Sequence, residues 1–232
     1  DALSRDIDRN HIFNNSWGPE DDGQLNKPAS GWTAFNDTLA KGLSKGRNGL
    51  GVLYVFSGGN GAWEGDYSSA DSATSSRGAI SVCATDAAGE RAPYSERGSN
   101  LTVCAPSGRS TTPASAPEIT TTSVKDKYTD DFGGTSASAP MVSGVAALML
   151  QASPRLTWRD VPLILARTAR RVDVSKGGWS ELRSPLAGVT GHDVLHYSHH
   201  YGFGVVDAEA ATRLARTWQS VGGSAEQRKC GP

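Results

Sequence analysis

The stretch that most constrains this chain is Gly133–Gln151, GGTSASAPMVSGVAALMLQ. It opens with two glycines, presents Thr135-Ser136, and runs into small and apolar residues. Pro140 falls early enough to be tolerated in a first helical turn, where its missing N–H is no loss. Met141–Leu150 carries no charge, and a helix that is apolar nearly all round is a buried one. The run is too short, and too interrupted by Gly and Ser, to span a bilayer. The sequence therefore describes a helix through a globular core with a hydroxyl at its N-terminus.

That position suits a nucleophile. The first N–H groups of a helix lack internal partners, and the helix dipole favours negative charge there. The competing reading of Ser136 is a plain N-cap, a common role for serine. The α/β-hydrolase elbow, G-x-S-x-G, is excluded because Ser138 occupies the place of its second Gly.

With 232 residues the chain can build one sizeable core in a single domain. A net charge of −1 gives no pull toward nucleic acid or an anionic membrane. No run reads as a membrane span or a signal peptide. The polar, helix-like Asp1–Asn10 and the Cys-bearing Glu226–Pro232 both read as cut ends. Cys83 (ISVCATD) and Cys104 (LTVCAPS) lie in two short apolar strands of similar pattern. Two buried thiols is the commoner reading of such cysteines, an internal disulfide the alternative. Cys230 is left over and is open to pairing elsewhere.

In chain order, His11–Trp17 reads as a strand ending in an acidic turn, Gly18–Gly23. Trp32–Gly46 carries apolar residues at 32, 35, 39 and 43, a helical stripe. Leu50–Phe56 is a buried-strand pattern. Gly58-Gly59-Asn60-Gly61 reads as a turn, although an Asn there can also aim its amide N–H2 into a site. Glu64, Asp66 and Asp71 follow in a loop. Ala79–Ala84 and Leu101–Ala105 are short strands flanking a loop with Tyr94-Ser95-Glu96, and the Thr-rich strand Ile119–Val124 leads to the nucleophile. Thr157-Trp-Arg-Asp160 is a capping box with Asp for Glu, opening a helix to about Val172. Asp207–Val221 is a further amphipathic helix. Strands alternating with helices argue for an α/β fold, a parallel sheet covered on both faces. Four of the five histidines cluster in Gly191–Gly204, without the H-E-x-x-H spacing of a metalloprotease.

Several segments together carry a resemblance. Gly134–Pro140 resembles the nucleophile motif of subtilisin-like serine proteases. Asn15–Gly23 (NSWGPEDDG), Gly59–Gly61, Tyr94–Glu96, Leu156–Asp160 (LTWRD), Tyr201–Asp207 and Gln227–Cys230 extend it to the kexin/furin, or proprotein-convertase, branch. The resemblance implies a subtilisin-like three-layer fold, truncated at its N-terminal side. It implies Ser136 as nucleophile and Asn60 as the side-chain member of the oxyanion hole. Asp21 and Asp71 match the acids that bind a basic side chain before the scissile bond. Asp21, Asp66 and Glu96 match a calcium site, and Ser16-Trp17-Gly18 an edge on which substrate pairs as an extended strand.

There are departures from that pattern. Gln24–Lys27 places Lys27 where an acid is expected, Ser68 and Gly98 replace a disulfide of animal members, and Ala105–Gly108 looks like secreted bacterial subtilisins. The family's triad runs Asp, His, Ser, yet no His-Gly-Thr occurs in this chain, and His11 is in the wrong context. The base and its orienting acid are expected upstream of residue 1, so this chain alone is expected to be nearly inactive. The implied arrangement is a partial peptidase domain over 1–221 and a linker at 222–232 toward a C-terminal β-rich domain. The implied activity is a secreted, calcium-dependent serine endopeptidase cleaving polypeptides after Arg or Lys. The alternatives are a broad-specificity bacterial subtilisin and a non-catalytic peptide-binding domain.

Overall fold

A computed structural model describes residues 2–23, 32–108, 119–183 and 194–222. Its centre is a four-stranded, wholly parallel sheet in the order β1 (Ile12–Asn15), β2 (Leu53–Ser57), β3 (Ala79–Thr85) and β4 (Leu101–Pro106). The register runs from Ile12 opposite Leu53 to Thr85 opposite Pro106. Every residue of β2 is buried, as expected of a parallel strand covered on both faces.

Successive strand residues point to opposite faces, and β1 shows which helix covers which. Phe13 stacks on Tyr54, while Phe35 of helix α1 (Trp32–Lys45) meets Phe56 edge-on, so α1 covers that face. Asn14 points the other way and accepts from Ser143 of helix α2 (Thr135–Ala152). Helix α2 lies against all four strands. Helices α3 (Asp160–Thr168) and α4 (Ala208–Thr217) pack on each other, and α4 packs on α2. The expected α/β architecture, a parallel sheet with helices on both faces, is what forms. Among the described residues no helix is long and apolar enough to cross a membrane.

Several local expectations are revised. Of the stretch Asp1–Asn10, the described residues 2–10 form a short 3-10 turn, Ala2–Ser4, followed by turns. Helix α2 is not buried all round: Pro140, Gly144, Ala147 and Leu148 form an exposed stripe. Pro140 is the sixth residue of α2, past the first turn. Helix α3 stops at Thr168 rather than near Val172, because the chain turns extended and Arg170 exchanges two backbone hydrogen bonds with Val205. The strand before the nucleophile, β5 (Ile119–Ser123), pairs with β6 (Lys127–Phe132) in a separate antiparallel hairpin. A second hairpin, β7 (Ser180–Arg183) and β8 (Val194–Tyr197), also forms outside the main sheet. Lys27, Cys230 and the 223–232 threshold lie outside the described residues.

The reading of Cys83 and Cys104 as buried thiols is corrected. They face each other in the β3–β4 register with Cα atoms 4.2 Å apart, and they form a disulfide. The two similar apolar segments are neighbouring strands, and adjacency in register brings the two side chains within bonding reach.

The capping box at the start of α3 closes as read: Thr157 N–H donates to Asp160 Oδ2 at 2.7 Å, and Asp160 N–H returns to Thr157 Oγ1. Asp160 also accepts from Trp218 Nε1, Ser220 Oγ and Val221 N–H, tying the chain after α4 to α3. Burial opposes its charge, but these donors outweigh that cost and hold its pKa below the usual carboxylate value. A depressed folded pKa stabilises above the unfolded pKa, and that stability is lost as pH falls through the folded value. Asp160→Asn is expected to cost about 2–3 kcal/mol at neutral pH in urea unfolding and to flatten the acid limb of the stability curve. A non-reducing peptide map should recover the Cys83 and Cys104 peptides as one species. Closing a 21-residue separation should contribute about 3 kcal/mol.

Candidate active site

The first turn of α2 is built by what Pro140 and Gly134 do to the backbone. Pro140 has no N–H to return to the carbonyl of Ser136. That carbonyl instead accepts from Ser16 Oγ at the end of β1, at 3.0 Å. Gly134, the N-cap, sits at φ 75°, ψ 170°, a region essentially reserved for glycine. Its carbonyl accepts from Ser107 Oγ, to which Tyr94 donates in turn. Ser138 Oγ donates to the Ala105 carbonyl in β4. The helix start is thus anchored to the C-terminal ends of β1 and β4.

Asn60, just past β2, is anchored by Thr135. Its Oδ1 accepts from Thr135 N–H at 2.8 Å and from Thr135 Oγ1 at 2.9 Å, while Thr135 Oγ1 accepts from Gly59 N–H. A backbone N–H can only donate, so the bonded atom is the amide oxygen and the N–H2 is the free end. Ser136, one residue further, keeps a first-turn N–H with no partner four residues back. One backbone donor and one amide donor in the cleft that Ser136 also lines are groups that can stabilise an oxyanion.

Ser136, Asn60, Trp17, Gly18, Asp21, Asp66, Asp71 and Glu96 all line one cleft. Ser16 does not line it but supports it from behind through the Ser136 carbonyl. Trp17 is half-exposed and packs edge-on against Phe35 and Phe56. The lining also includes Glu20 and, among the described residues, contains no Lys, Arg or His.

Carboxylates crowd this cleft. Oxygens of Asp21, Asp66 and Glu96 lie within 4.8 Å of one another. Two glycines make room: a Cβ on Gly59 would stand 2.1 Å from Glu96 Oε1, and one on Gly61 would stand 2.3 Å from Asp66 Oδ2. Burial pushes Glu96 up to about 7 against the opposing Gly61 N–H, with Asp21, Asp66 and Asp71 adding to the rise. Burial likewise raises Asp21, opposed by the Asn60 N–H and assisted by Asp66. Asp71 stands outside the trio; burial raises it too, while Ala73 N–H donates to its Oδ1 at 2.8 Å. The cleft is short of positive charge.

The Subtilase family profile matches residues 2–204. The chain belongs to the subtilase family. It is 39% identical over 214 residues to "Proprotein convertase subtilisin/kexin type 6" of Rattus norvegicus, covering 90% of this chain and 21% of that protein. It is 36% identical over 220 residues to "Protease KEX1" of Kluyveromyces lactis, covering 95% of this chain and 27% of that protein. It is also 36% identical over 214 residues to "Furin-1" of Xenopus laevis, with 91% and 25% covered. The chain therefore spans about a quarter of each relative or less. Among solved structures, the serine protease of Aeromonas sobria superposes with a TM-score of 0.76 at 23% identity, over 92% of this chain and 44% of that one, which establishes the shared fold.

Within this subtilase, sequence reasoning missed Thr135 and the pair Gly59 and Gly61 as parts of the site. Thr135 reads as a neighbour of the serine, yet it is fully buried and orients Asn60. Thr135→Val should cost about 1–3 kcal/mol in thermal or urea unfolding, because the Gly59 N–H and Asn60 Oδ1 each lose a partner. Thr135→Ser should stay close to the parent.

Proposed function

We propose that the complete protein is a serine endopeptidase that cleaves polypeptides after Arg or Lys through an acyl-enzyme. The observation that carries this reading is the cleft itself. Ser136, the Asn60 amide and the carboxylates of Asp21 and Asp71 line one cavity in which, among the described residues, no basic side chain stands.

Ser136 Oγ attacks the scissile carbonyl carbon and gives its proton to a histidine base. Oxygen charge develops against the Ser136 N–H and the Asn60 amide. The C–N bond then breaks, the amine leaves with that proton, and water cleaves the acyl ester with the same base. The base is not among the described residues that line the cleft. By family likeness it is an upstream histidine with its aspartate, so this chain without them would retain only the weak catalysis of binding and the oxyanion hole.

The substrate's backbone would lie along Ser16-Trp17-Gly18 as an added strand. Its basic side chain would pass between Asp21 and Asp71, where charge-assisted hydrogen bonds select guanidinium or ammonium. The Asp21, Asp66 and Glu96 carboxylates fit Ca2+, a hard cation that takes oxygen ligands. When bound it would neutralise carboxylates that otherwise repel one another. A secreted or secretory-pathway location agrees with the buried Cys83–Cys104 disulfide, which persists in oxidising compartments.

The test is cleavage by the full-length protein of peptides that differ only in the residue before the scissile bond. Arg and Lys should exceed norleucine by about 10²-fold or more in kcat/KM, and a calcium chelator should remove activity. Asp71→Asn should erode that preference, Ser136→Ala should abolish turnover, and Asn60→Ala should cost about 10²–10³ in kcat, the loss measured for the matching donor in a related subtilase. Gly61→Ala should weaken calcium binding at least about tenfold by displacing Asp66. Flat or apolar preference would reject the basic-residue assignment and leave Ser136 as nucleophile of a broad-specificity enzyme.

A further inference from the structure

A second cavity lies at the opposite end of the sheet from Ser136. Ser136 stands over the C-terminal end of β1, through Ser16. This cavity is bordered by Arg77, which immediately precedes the N-terminal end of β3. Its volume, about 620 Å³, is within the range of small-molecule sites.

Its lining is mixed, with Asn36, Asp37, Ser44 and Arg77 beside an apolar floor. Leu39, Ala40 and Leu43 come from one side of α1, and Trp158 comes from the segment leading into α3. Leu39, Leu43 and Trp158 are buried side chains of the main core, so this floor is rigid. Gly78 fixes the wall. At φ 86° it takes a turn that other residues disfavour, and a Cβ there would lie 2.6 Å from Leu43 Cδ1. The Arg77-Gly78 turn therefore sits directly against α1, and the Arg77 guanidinium lies over the Trp158 ring at 5.8 Å.

Arg77 is exposed and, among the described residues, pairs with no carboxylate. The guanidinium has five donors in a planar fork suited to a carboxylate. It stands at the border of the hollow, beside the Trp158 ring, with its donors unclaimed by described protein groups. Asp37 also lines the hollow, from α1. That carboxylate opposes any anion in the hollow, so a single negative charge offset by Arg77 is tolerated where a dianion is not.

We infer that the hollow between α1 and the Arg77–Trp158 pair is a binding site for a small amphipathic monocarboxylate. Its carboxylate is held by Arg77 and its aliphatic or aromatic body lies on Leu39, Leu43 and Trp158. The site is separate from the nucleophile's cleft and independent of the protease reading. Its floor excludes a purely inorganic anion as the preferred ligand, and its guanidinium excludes a neutral hydrocarbon.

The experiment is isothermal titration of the full chain with octanoate, using octanamide and sulfate as controls. Octanoate should bind saturably, and octanamide and sulfate at least about tenfold more weakly, as expected for loss of a charge-assisted pair or of the apolar body. Arg77→Gln should weaken octanoate about tenfold while leaving octanamide unchanged. Ala40→Trp, on the exposed side of α1, should fill the hollow and abolish binding with the circular dichroism spectrum intact. Absence of saturable octanoate binding overturns the proposal, as does equal affinity for octanamide or sulfate. Octanoate binding that survives both substitutions overturns it as well.

Discussion

The carbonyl of Ser136 cannot be satisfied within its own helix, because Pro140 brings no N–H to it. A buried or half-buried carbonyl without a partner is costly, and Ser16 Oγ supplies that partner from the end of β1. This constraint brings a strand end against the first turn of α2. The same turn is held by Asn60 through Thr135 from the end of β2, and at the end of β4 by Ser107 and by the Ala105 carbonyl, which accepts from Ser138. Three strand ends therefore converge on one helical N-terminus. In open α/β sheets, this carboxyl end of the strands is where ligands bind. The cleft follows from the way the helix start is satisfied.

The acid wall is the opposite case, a place where the structure bears an unfavourable arrangement. Asp21, Asp66 and Glu96 approach one another with no cationic side chain lining the cleft among the described residues. Their approach requires Gly59 and Gly61, since a Cβ at either position would collide with a carboxylate. Local glycines and local repulsion both work against the stability of this loop. Sites that depart from the general rules in this way tend to be functional.

Much of this was legible in the chain. The β2, β3 and β4 strands are apolar runs between glycines and turns, and α1 has a clear stripe, so periodicity locates them. The reach of the disulfide was not legible, because adjacency of β3 and β4 is a tertiary fact that spacing alone does not fix. The hairpins were missed for a related reason. Lys127–Phe132 and Ser180–Arg183 are almost wholly exposed, so no buried face imposes an apolar alternation for a reader to find. The exposed stripe of α2 was misread because Gly144 and Ala147 look like core residues whether or not anything covers them. Of the site, Ser136 and Asn60 stand in motifs, whereas the part of Thr135 depends on a contact made across 75 positions of chain.

The two halves of the cleft are not electrostatically independent. Five acids, Glu20, Asp21, Asp66, Asp71 and Glu96, line the same cavity as the point where an oxyanion would form. At an effective dielectric of about 20, one negative charge some 8 Å away would oppose that oxyanion by about 2 kcal/mol. Several such charges together would offset much of what two donors contribute. A cation held by the trio removes part of that field, as does the substrate's own basic side chain. On the reading proposed above, a basic residue would thus be selected twice, once by the carboxylates it meets and once by the field it cancels at the reacting carbonyl. A substrate with an apolar residue there would bind less tightly and would also react more slowly once bound. The discrimination would then fall in kcat as well as KM, which is the signature of an interaction that strengthens in the transition state.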